Sequence, residues 1–453
     1  MPSSFGALEV GTPEYGGGSP IAHSHERGVP VVAFHGPAGT PDARFRLVAQ
    51  HADVTLPSGR HVEALTFDRR LPGPELRVHE GDLVEVTLVN RDVREGVAIH
   101  WHGVDIPNAE DGVAGVTQDS VQPAQSHVYR FRADVAGTYW YHSHQHAAAE
   151  VERGLYGALV VLPRSPPPPR MLDLVAIAHS IGGVKLLGSS DVEQRRPVRP
   201  GTPVRLRLVN SADTMRTFAL AGTRFRVVGI DARDKNGGGE LTGQAVDVPA
   251  GGRYDLVFSM PAKPVRLAVR GEDVGLVLGS GRGDAPEATF ERRFDPAAYG
   301  TPAAPVPDHF DRRFEVKIGR KLGFFEGGVR LGWQWTLNGK AYPDMPTYMV
   351  GRGETLELSF SNSSKLAHPM HLHGHHMLVF ARDGRRVTPW WSDTLEVGAG
   401  QRYDVALFAR SPGVWMFHCH NLPHAARGLV THLAYEHVMT PFRTGSATGN
   451  DPE

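Results

Sequence analysis

Gly81-Asp-Leu-Val-Glu-Val-Thr-Leu-Val-Asn90 is the stretch on which the fold turns. Between a turn glycine and an asparagine, apolar and polar residues alternate with the period of two that marks a half-buried strand. The pattern returns at Gly201 to Asn210 (GTPVRLRLVN) and at Gly353 to Asn362 (GETLELSFSN). A second pattern follows each copy: Val121-Gln-Pro-Ala-Gln-Ser-His-Val-Tyr, Val248-Pro-Ala-Gly-Gly-Arg-Tyr-Asp and Val397-Gly-Ala-Gly-Gln-Arg-Tyr-Asp. Each reads as a turn entering another strand. A third pattern occurs only twice, at Gly137-Thr-Tyr-Trp-Tyr-His-Ser-His144 and Gly413-Val-Trp-Met-Phe-His-Cys-His420. Three related β-units follow from this. Only the outer two carry histidines of the metal-binding kind, and the middle copy reads as structural.

Length agrees, since 453 residues at about 150 per domain suggest three domains. The expected division is an extended, Gly/Pro-rich arm over 1–40, units over 41–164, 170–293 and 308–440, and a flexible tail over 441–453. Ser165-Pro166-Pro167-Pro168-Pro169 is a stiff connector, and a Pro/Ala-rich stretch from Pro296 to Pro307 separates the second unit from the third. Long helical periodicity is scarce, and short strands punctuated by turns suggest sandwiches.

Charge narrows the partners. The 48 Lys and Arg nearly cancel the 49 Asp and Glu, and no basic block stands out. Neither nucleic acid nor an anionic membrane surface is an expected partner. No run approaches the length of about 18 apolar residues that a transmembrane helix needs. The opening MPSSFGALEVGTPEYGGGSP lacks a charged region followed by an apolar one, so it does not read as a signal peptide. That leaves a cytoplasmic protein or one whose targeting segment has been removed.

Cys419 is the only cysteine, and it stands inside His418-Cys419-His420. On a strand, successive side chains point to opposite faces. The two histidines would face one way and the thiol the other, serving two metal sites on either side of one strand. Three further pairs are His100-Trp101-His102, His142-Ser143-His144 and His371-Leu372-His373. One thiolate with two imidazoles and a weak axial group is a blue-copper arrangement. His424, after Pro423, and His368, of opposite parity to His371 and His373, are the expected imidazoles. The eight paired histidines would surround a separate cluster between the first and third units. His23-Ser24-His25, in the arm, is a decoy, and His375 and His376 read as strand continuation with one side chain buried and one solvated.

At these residues the chain resembles the three-domain multicopper oxidases, which include laccases, bilirubin oxidases and bacterial copper-tolerance oxidases. The resemblance rests on Leu71-Pro-Gly-Pro74 with Gly81-Asp82, HWHG at 100–103, YHSH at 141–144, HPMHLHGH at 368–375 and HCHNLPHAARGL at 418–429. It implies three cupredoxin-like Greek-key β-sandwich domains, an all-β fold, and four copper ions. His368, Cys419 and His424 would bind a type 1 copper, with Leu429 in the axial position where members place Met, Leu or Phe. His100 and His371 would bind a type 2 copper. His102, His142 and His420 would hold one type 3 copper, and His144, His373 and His418 the other. Asp111, eleven residues after His100, matches an acid that delivers protons in bacterial members; a plain turn carboxylate is the other reading. Many relatives carry a second acid directly after the last type 1 histidine, where this chain has Ala425. The methionine-rich insert of copper-tolerance oxidases is absent as well.

The implied activity is laccase-like. Phenols or aromatic amines would give up single electrons, and dioxygen would be reduced to water. The partners are then a small reducing substrate and dioxygen, the protein a monomer, and the location extracytoplasmic. A metallo-oxidase of Cu(I), Fe(II) or Mn(II) is the enzymatic alternative. A copper-free scaffold and a two-domain nitrite reductase fit less well, because Cys419 and every paired histidine are present.

Overall fold

The computed structural model describes residues 5–6, 11–18, 28–279, 283–325, 330–445 and 447–453, and His23 and His25 lie outside them. The three Gly-to-Asn segments become the strands Leu83–Asn90, Pro203–Asn210 and Thr355–Asn362. Each holds the same place in its sheet. A parallel strand lies on one side (Ala43–Thr55, Leu172–Ile181, Arg312–Phe325) and an antiparallel one on the other (Ser126–Arg132, Arg253–Ser259, Arg402–Phe408). The leading glycines Gly81, Gly201 and Gly353 have φ of 83°, 78° and 91°, a left-handed turn that side chains with a Cβ rarely adopt.

The closing asparagines explain why the first two sequence patterns travel together. Asn90 Nδ2 donates to the carbonyls of Val93 and Val121, both at 2.8 Å. Asn210 Nδ2 donates in the same way to Thr214 and Val248, and Asn362 Nδ2 to Leu366 and Val397. Val121, Val248 and Val397 are the first residues of the second pattern. One side chain thus latches the end of a central strand to the turn that opens its antiparallel partner. Each Asn is buried, so losing it would strand polar groups at a cost of about 1–3 kcal/mol.

A second sheet covers each first one. In the first unit it has the order Leu76–His79, Tyr156–Leu162, Gly137–Ser143, Ile99–His102. Val84, Val86 and Leu88 of one sheet share a core with Trp101, Tyr139, Tyr141 and Leu159 of the other. Burial of each Val or Leu there contributes roughly 1.5–3 kcal/mol. The second and third units share a continuous core that runs from Phe218 and Val246 to Phe417 and Leu433.

Two expectations about the chain ends need correction. The arm is not merely extended, because Thr12–Glu14 runs parallel to Pro346–Val350 as an edge strand of the third unit, and Val29–Pro30 pairs with Val438–Met439. Nor is the tail flexible. Arg443–Thr444 pairs with Phe5–Gly6, and buried Asn450 accepts from Ser120 N and donates to Asp119 Oδ1 and to the Arg443 carbonyl. These pairings are two or three residues long and reach across the whole sequence. Neither property leaves a local period to read.

Candidate metal centre

Two antiparallel strand pairs bring the histidines together. Ile99–His102 runs beside Gly137–Ser143 with His100 opposite His142. His368–Leu372 runs beside Val414–Cys419 with His371 opposite His418 and Met370 opposite Cys419. Directly opposed residues project from the same face of a sheet, so each pair delivers its imidazoles to one side. All eight paired histidines are buried. Three sets each bring their ligand atoms within 4.8 Å of one another: His100, His102 and His371; His102, His142 and His420; and His144, His373 and His418.

Cys419 faces away from this cluster, as strand alternation requires. Its Sγ lies 3.6 Å from His368 Nδ1 and 3.8 Å from His424 Nδ1. His424 sits on the one-turn helix Leu422–Ala425, with Pro423 in its opening turn. Leu429 is buried, and its backbone ties this corner together. Its carbonyl accepts from Cys419 N, and its N–H donates to the His424 carbonyl. Trp335 packs on both imidazoles, with ring centroids 4.6 Å from His368 and 4.4 Å from His424.

Ring hydrogen bonds decide which nitrogen each imidazole offers. A carbonyl cannot donate, so a ring nitrogen bonded to one must carry the proton. His100 Nδ1 lies 3.1 Å from the Asp111 carbonyl, His142 Nδ1 2.9 Å from that of Ser143, His144 Nδ1 2.8 Å from that of Pro452, and His371 Nδ1 2.8 Å from that of Asp393. In the neutral ring each then offers Nε2 as its lone-pair nitrogen. His373 Nδ1 bonds Asp111 Oδ2 at 3.0 Å, whereas His418 Nδ1 only approaches Glu453 Oε1, at 3.1 Å, without forming a hydrogen bond. His102 is reversed, with Nε2 bonded to Thr394 Oγ1 at 3.0 Å and to Asp393 Oδ1 at 3.3 Å.

The cluster fits a metal on these grounds. His100 Nε2 and His371 Nε2 confront each other at 3.4 Å, and two bare ring nitrogens at that distance would repel unless a cation lay between them. His102 Nδ1, His142 Nε2, His144 Nε2 and both nitrogens of His420 are buried with no hydrogen-bond partner. Orphaned buried nitrogens cost free energy that metal ligation recovers. Burial, reinforced by neighbouring histidines, holds His102, His142, His144, His373 and His418 well below the ordinary imidazole range, and burial lowers His371 as far. The neutral form they keep is the one that binds metals. Burial likewise pushes the Cys419 thiol well up, and only a bound cation would strip its proton.

Asp111 is no exposed turn residue. It is fully buried, with Oδ1 3.1 Å from His100 Nδ1 and Oδ2 3.0 Å from His373 Nδ1. Burial raises its carboxyl above the usual range although His100 pulls the other way. His375 and His376 are both buried, which corrects the expectation that one is solvated. His375 bonds Tyr435 Oη, and His376 bonds the Asp231 carbonyl, so each ring is satisfied inside the protein. Sequence reasoning missed Asp393, Thr394, Trp335 and Glu453. A charged residue inside the apolar run Trp390-Trp391-Ser392-Asp393-Thr394-Leu395 was the available signal for the first two.

Residues 48–166 and 321–437 each match a family described as multicopper oxidase, together just over half of the chain. The chain is 28% identical over 458 residues to the multicopper oxidase MmcO of Mycobacterium tuberculosis, covering 86% of both proteins. It is 24% identical to laccase-1 of Botryotinia fuckeliana over 86% of this chain and 81% of that one. A solved multicopper oxidase from Pseudomonas thermotolerans superposes with a TM-score of 0.71 at 26% identity, covering 87% of this chain and all of the other. With the histidine cluster, the buried thiol and three cupredoxin-like sandwiches agreeing with these likenesses, the chain belongs to the multicopper oxidase family and is a copper-using oxidoreductase.

Proposed function

We propose that this protein is a laccase-like oxidase that takes single electrons from phenols or aromatic amines and passes them to dioxygen. The observation that carries the reading is the position of Cys419: its thiol meets His368 and His424 on one face of a strand while His418 and His420 join the other cluster on the opposite face. His368, Cys419 and His424 would hold a type 1 copper, with the buried side chain of Leu429 as the apolar residue of this corner. His100 and His371 would hold a type 2 copper, and the sets His102/His142/His420 and His144/His373/His418 the type 3 pair. Four bound coppers would supply one-electron acceptance at the thiolate site and four-electron reduction of dioxygen to water at the cluster.

The chain's own residues do the rest. Cys419 is covalently joined to both flanking histidines, which gives a short through-bond path between the two sites. Asp111, lodged between His100 and His373, would hold a proton where water forms, in a site closed to bulk solvent. Trp335 covers His368 and His424, and the same face of its hairpin exposes Trp333 and Leu322. That apolar, aromatic approach suits an organic donor better than a hydrated metal ion. We further propose a monomer working outside the cytoplasm, in keeping with an oxidase that consumes dioxygen and small external donors.

The test is metal analysis combined with oxygen uptake. Purified, copper-loaded protein should contain about four coppers per chain, as this ligand set requires. It should consume oxygen with a methoxylated phenol and with an aromatic diamine. Uptake with Cu(I) or Fe(II) but with neither organic donor would replace this reading by a metallo-oxidase.

A further inference from the structure

The turn that opens the antiparallel strand is nearly the same in the second and third units, Val248-Pro-Ala-Gly-Gly-Arg253-Tyr-Asp against Val397-Gly-Ala-Gly-Gln-Arg402-Tyr-Asp. The two arginines nevertheless lead different lives. Arg402 is exposed and pairs with Asp404, two residues along its own strand, at 3.1 Å. Arg253 is fully buried and, while its Nη1 also meets the Gly251 carbonyl at 3.2 Å and Asp231 Oδ1 at 3.4 Å in its own unit, it reaches into both neighbouring units. Its Nη1 and Nη2 grip the two carboxylate oxygens of Asp393, in the third unit, at 2.7 and 2.5 Å. Its Nε donates to the Thr138 carbonyl, in the first unit, at 3.2 Å. Since Arg402 shows that the turn folds with its arginine in water, the burial of Arg253 answers to something else. A buried ion pair is poor value as a stabiliser, because desolvation consumes most of its attraction.

What Asp393 touches supplies the reason. Its Oδ1 lies 3.3 Å from His102 Nε2 and accepts the Thr394 hydroxyl at 2.8 Å. With its proton committed to Asp393, Thr394 Oγ1 can only accept from His102 Nε2, 3.0 Å away. Two acceptors therefore face one ring nitrogen. The Asp393 carbonyl also takes the Nδ1 proton of His371. The middle unit approaches the same rings with its backbone. Gly251 has φ of 83°, and a Cβ there would lie 2.8 Å from the His420 ring and 3.0 Å from His102 Cε1.

We propose that Arg253, from the middle sandwich, is a positioning residue of the metal centre. By anchoring Asp393 it fixes His102 as the Nε2–H tautomer, so this ring offers Nδ1 inward while its neighbours offer Nε2. The middle unit is then a working part of the centre as well as a spacer. The benefit to copper rests on the reading of His102 as a ligand. The tautomer does not, and it can be measured with no metal present.

The experiment uses metal-free full-length protein with 15N-labelled histidine, the His102 signals being assigned by their loss in His102→Gln. In the wild type, the His102 ring should be protonated at Nε2. In Arg253→Gln it should shift toward the Nδ1–H form, and copper affinity in a separate titration should fall about 10- to 100-fold, the usual effect of removing a partner of a metal ligand. Arg253→Lys, with one amine for two carboxylate oxygens, should lie between the two, and Arg402→Gln should change neither readout. A wild-type His102 protonated at Nδ1 overturns the proposal. So does a folded Arg253→Gln protein with unchanged tautomer and affinity, and if that variant does not fold, Arg253→Lys decides by the same two readouts. A wild-type protein with the expected tautomer that takes up no copper would instead sink the ligand reading and leave the positioning of the ring standing.

Discussion

A carboxyl with both oxygens against imidazole nitrogens is shut off from bulk solvent, and Asp111 is in that position. Its spacing from His100 was legible, but spacing alone left a plain turn carboxylate equally open; only burial separates the two. In Asp111→Asn, anaerobic reduction of the blue site should proceed normally, whereas reoxidation by oxygen should slow about 100-fold, the lower end of the effect of a lost proton donor. Equal reoxidation rates, read by stopped-flow absorbance, would return Asp111 to a structural role. Leu429 offers a second test. Its backbone brackets Cys419 and His424, and its side chain is buried. A thioether in its place would stabilise the oxidised metal. Redox titration of Leu429→Met should show a fall on the order of 59 mV, equivalent to a tenfold change in a one-electron equilibrium. No shift, with the fold intact, would mean that Leu429 is not axial.

Among the elements, the strands were readable and the tail was not. Alternation over eight or ten residues announces a strand, and His-x-His on a strand announces a shared face. Residues 450–453 have no such period. They matter because Asn450 pins them, the Pro452 carbonyl meets His144 Nδ1 at 2.8 Å, and Glu453 meets His418 Nδ1 at 3.1 Å. The first two of these contacts link positions 330 and 308 residues apart, so no local rule predicts them. The tail should therefore behave as part of the centre. Glu453 Oε1 approaches buried His418 Nδ1 to 3.1 Å without completing a hydrogen bond, so Glu453→Ala removes only an electrostatic contact and should cost up to about 1 kcal/mol of stability. Copper content after dialysis against a weak chelator should also drop. If melting temperature and copper retention both match the wild type, the Glu453 contact is incidental. The hairpin carrying Trp335 was missed for a related reason: its sequence reads as an ordinary strand pair, and only the fold lays it over His368 and His424.

At the scale of the molecule, three sandwiches hold fourteen imidazoles of the described residues away from water, and this sets the response to acid. His368 and His420 are lowered to about 3 and His424 to about 4, in each case chiefly by burial. Free histidine titrates near 6.5. The site therefore stays neutral well below that value, and copper loading of the metal-free protein should be flat from about pH 8 to about pH 5. The stability of the metal-free fold behaves differently. Below about 6.5 the unfolded chain binds more protons than the folded one, so stability is lost as pH falls from about 6.5 toward about 3. Buried carboxyls work in the opposite sense and make the loss shallower: Glu396 is raised to about 7 and Asp213 to about 6, and burial also raises Asp111, Glu150 and Glu453. Melting temperature against pH checks the sign: a metal-free protein that grows more stable between pH 6 and pH 4 would contradict neutral, buried histidines.

The three asparagine latches carry one last consequence, for the life of the protein rather than its folding. Each uses both amide protons of Nδ2 to hold two carbonyl oxygens. Slow hydrolysis of that amide to a carboxylate would replace two donors by lone pairs facing lone pairs, in a place closed to water. Asn210 and Asn362 are each followed by serine, whose small side chain does little to hinder the backbone attack that starts such hydrolysis. The repeat that makes the fold legible thus also sets a chemical clock in the second and third sandwiches, one that runs only when heat or partial opening loosens the latch.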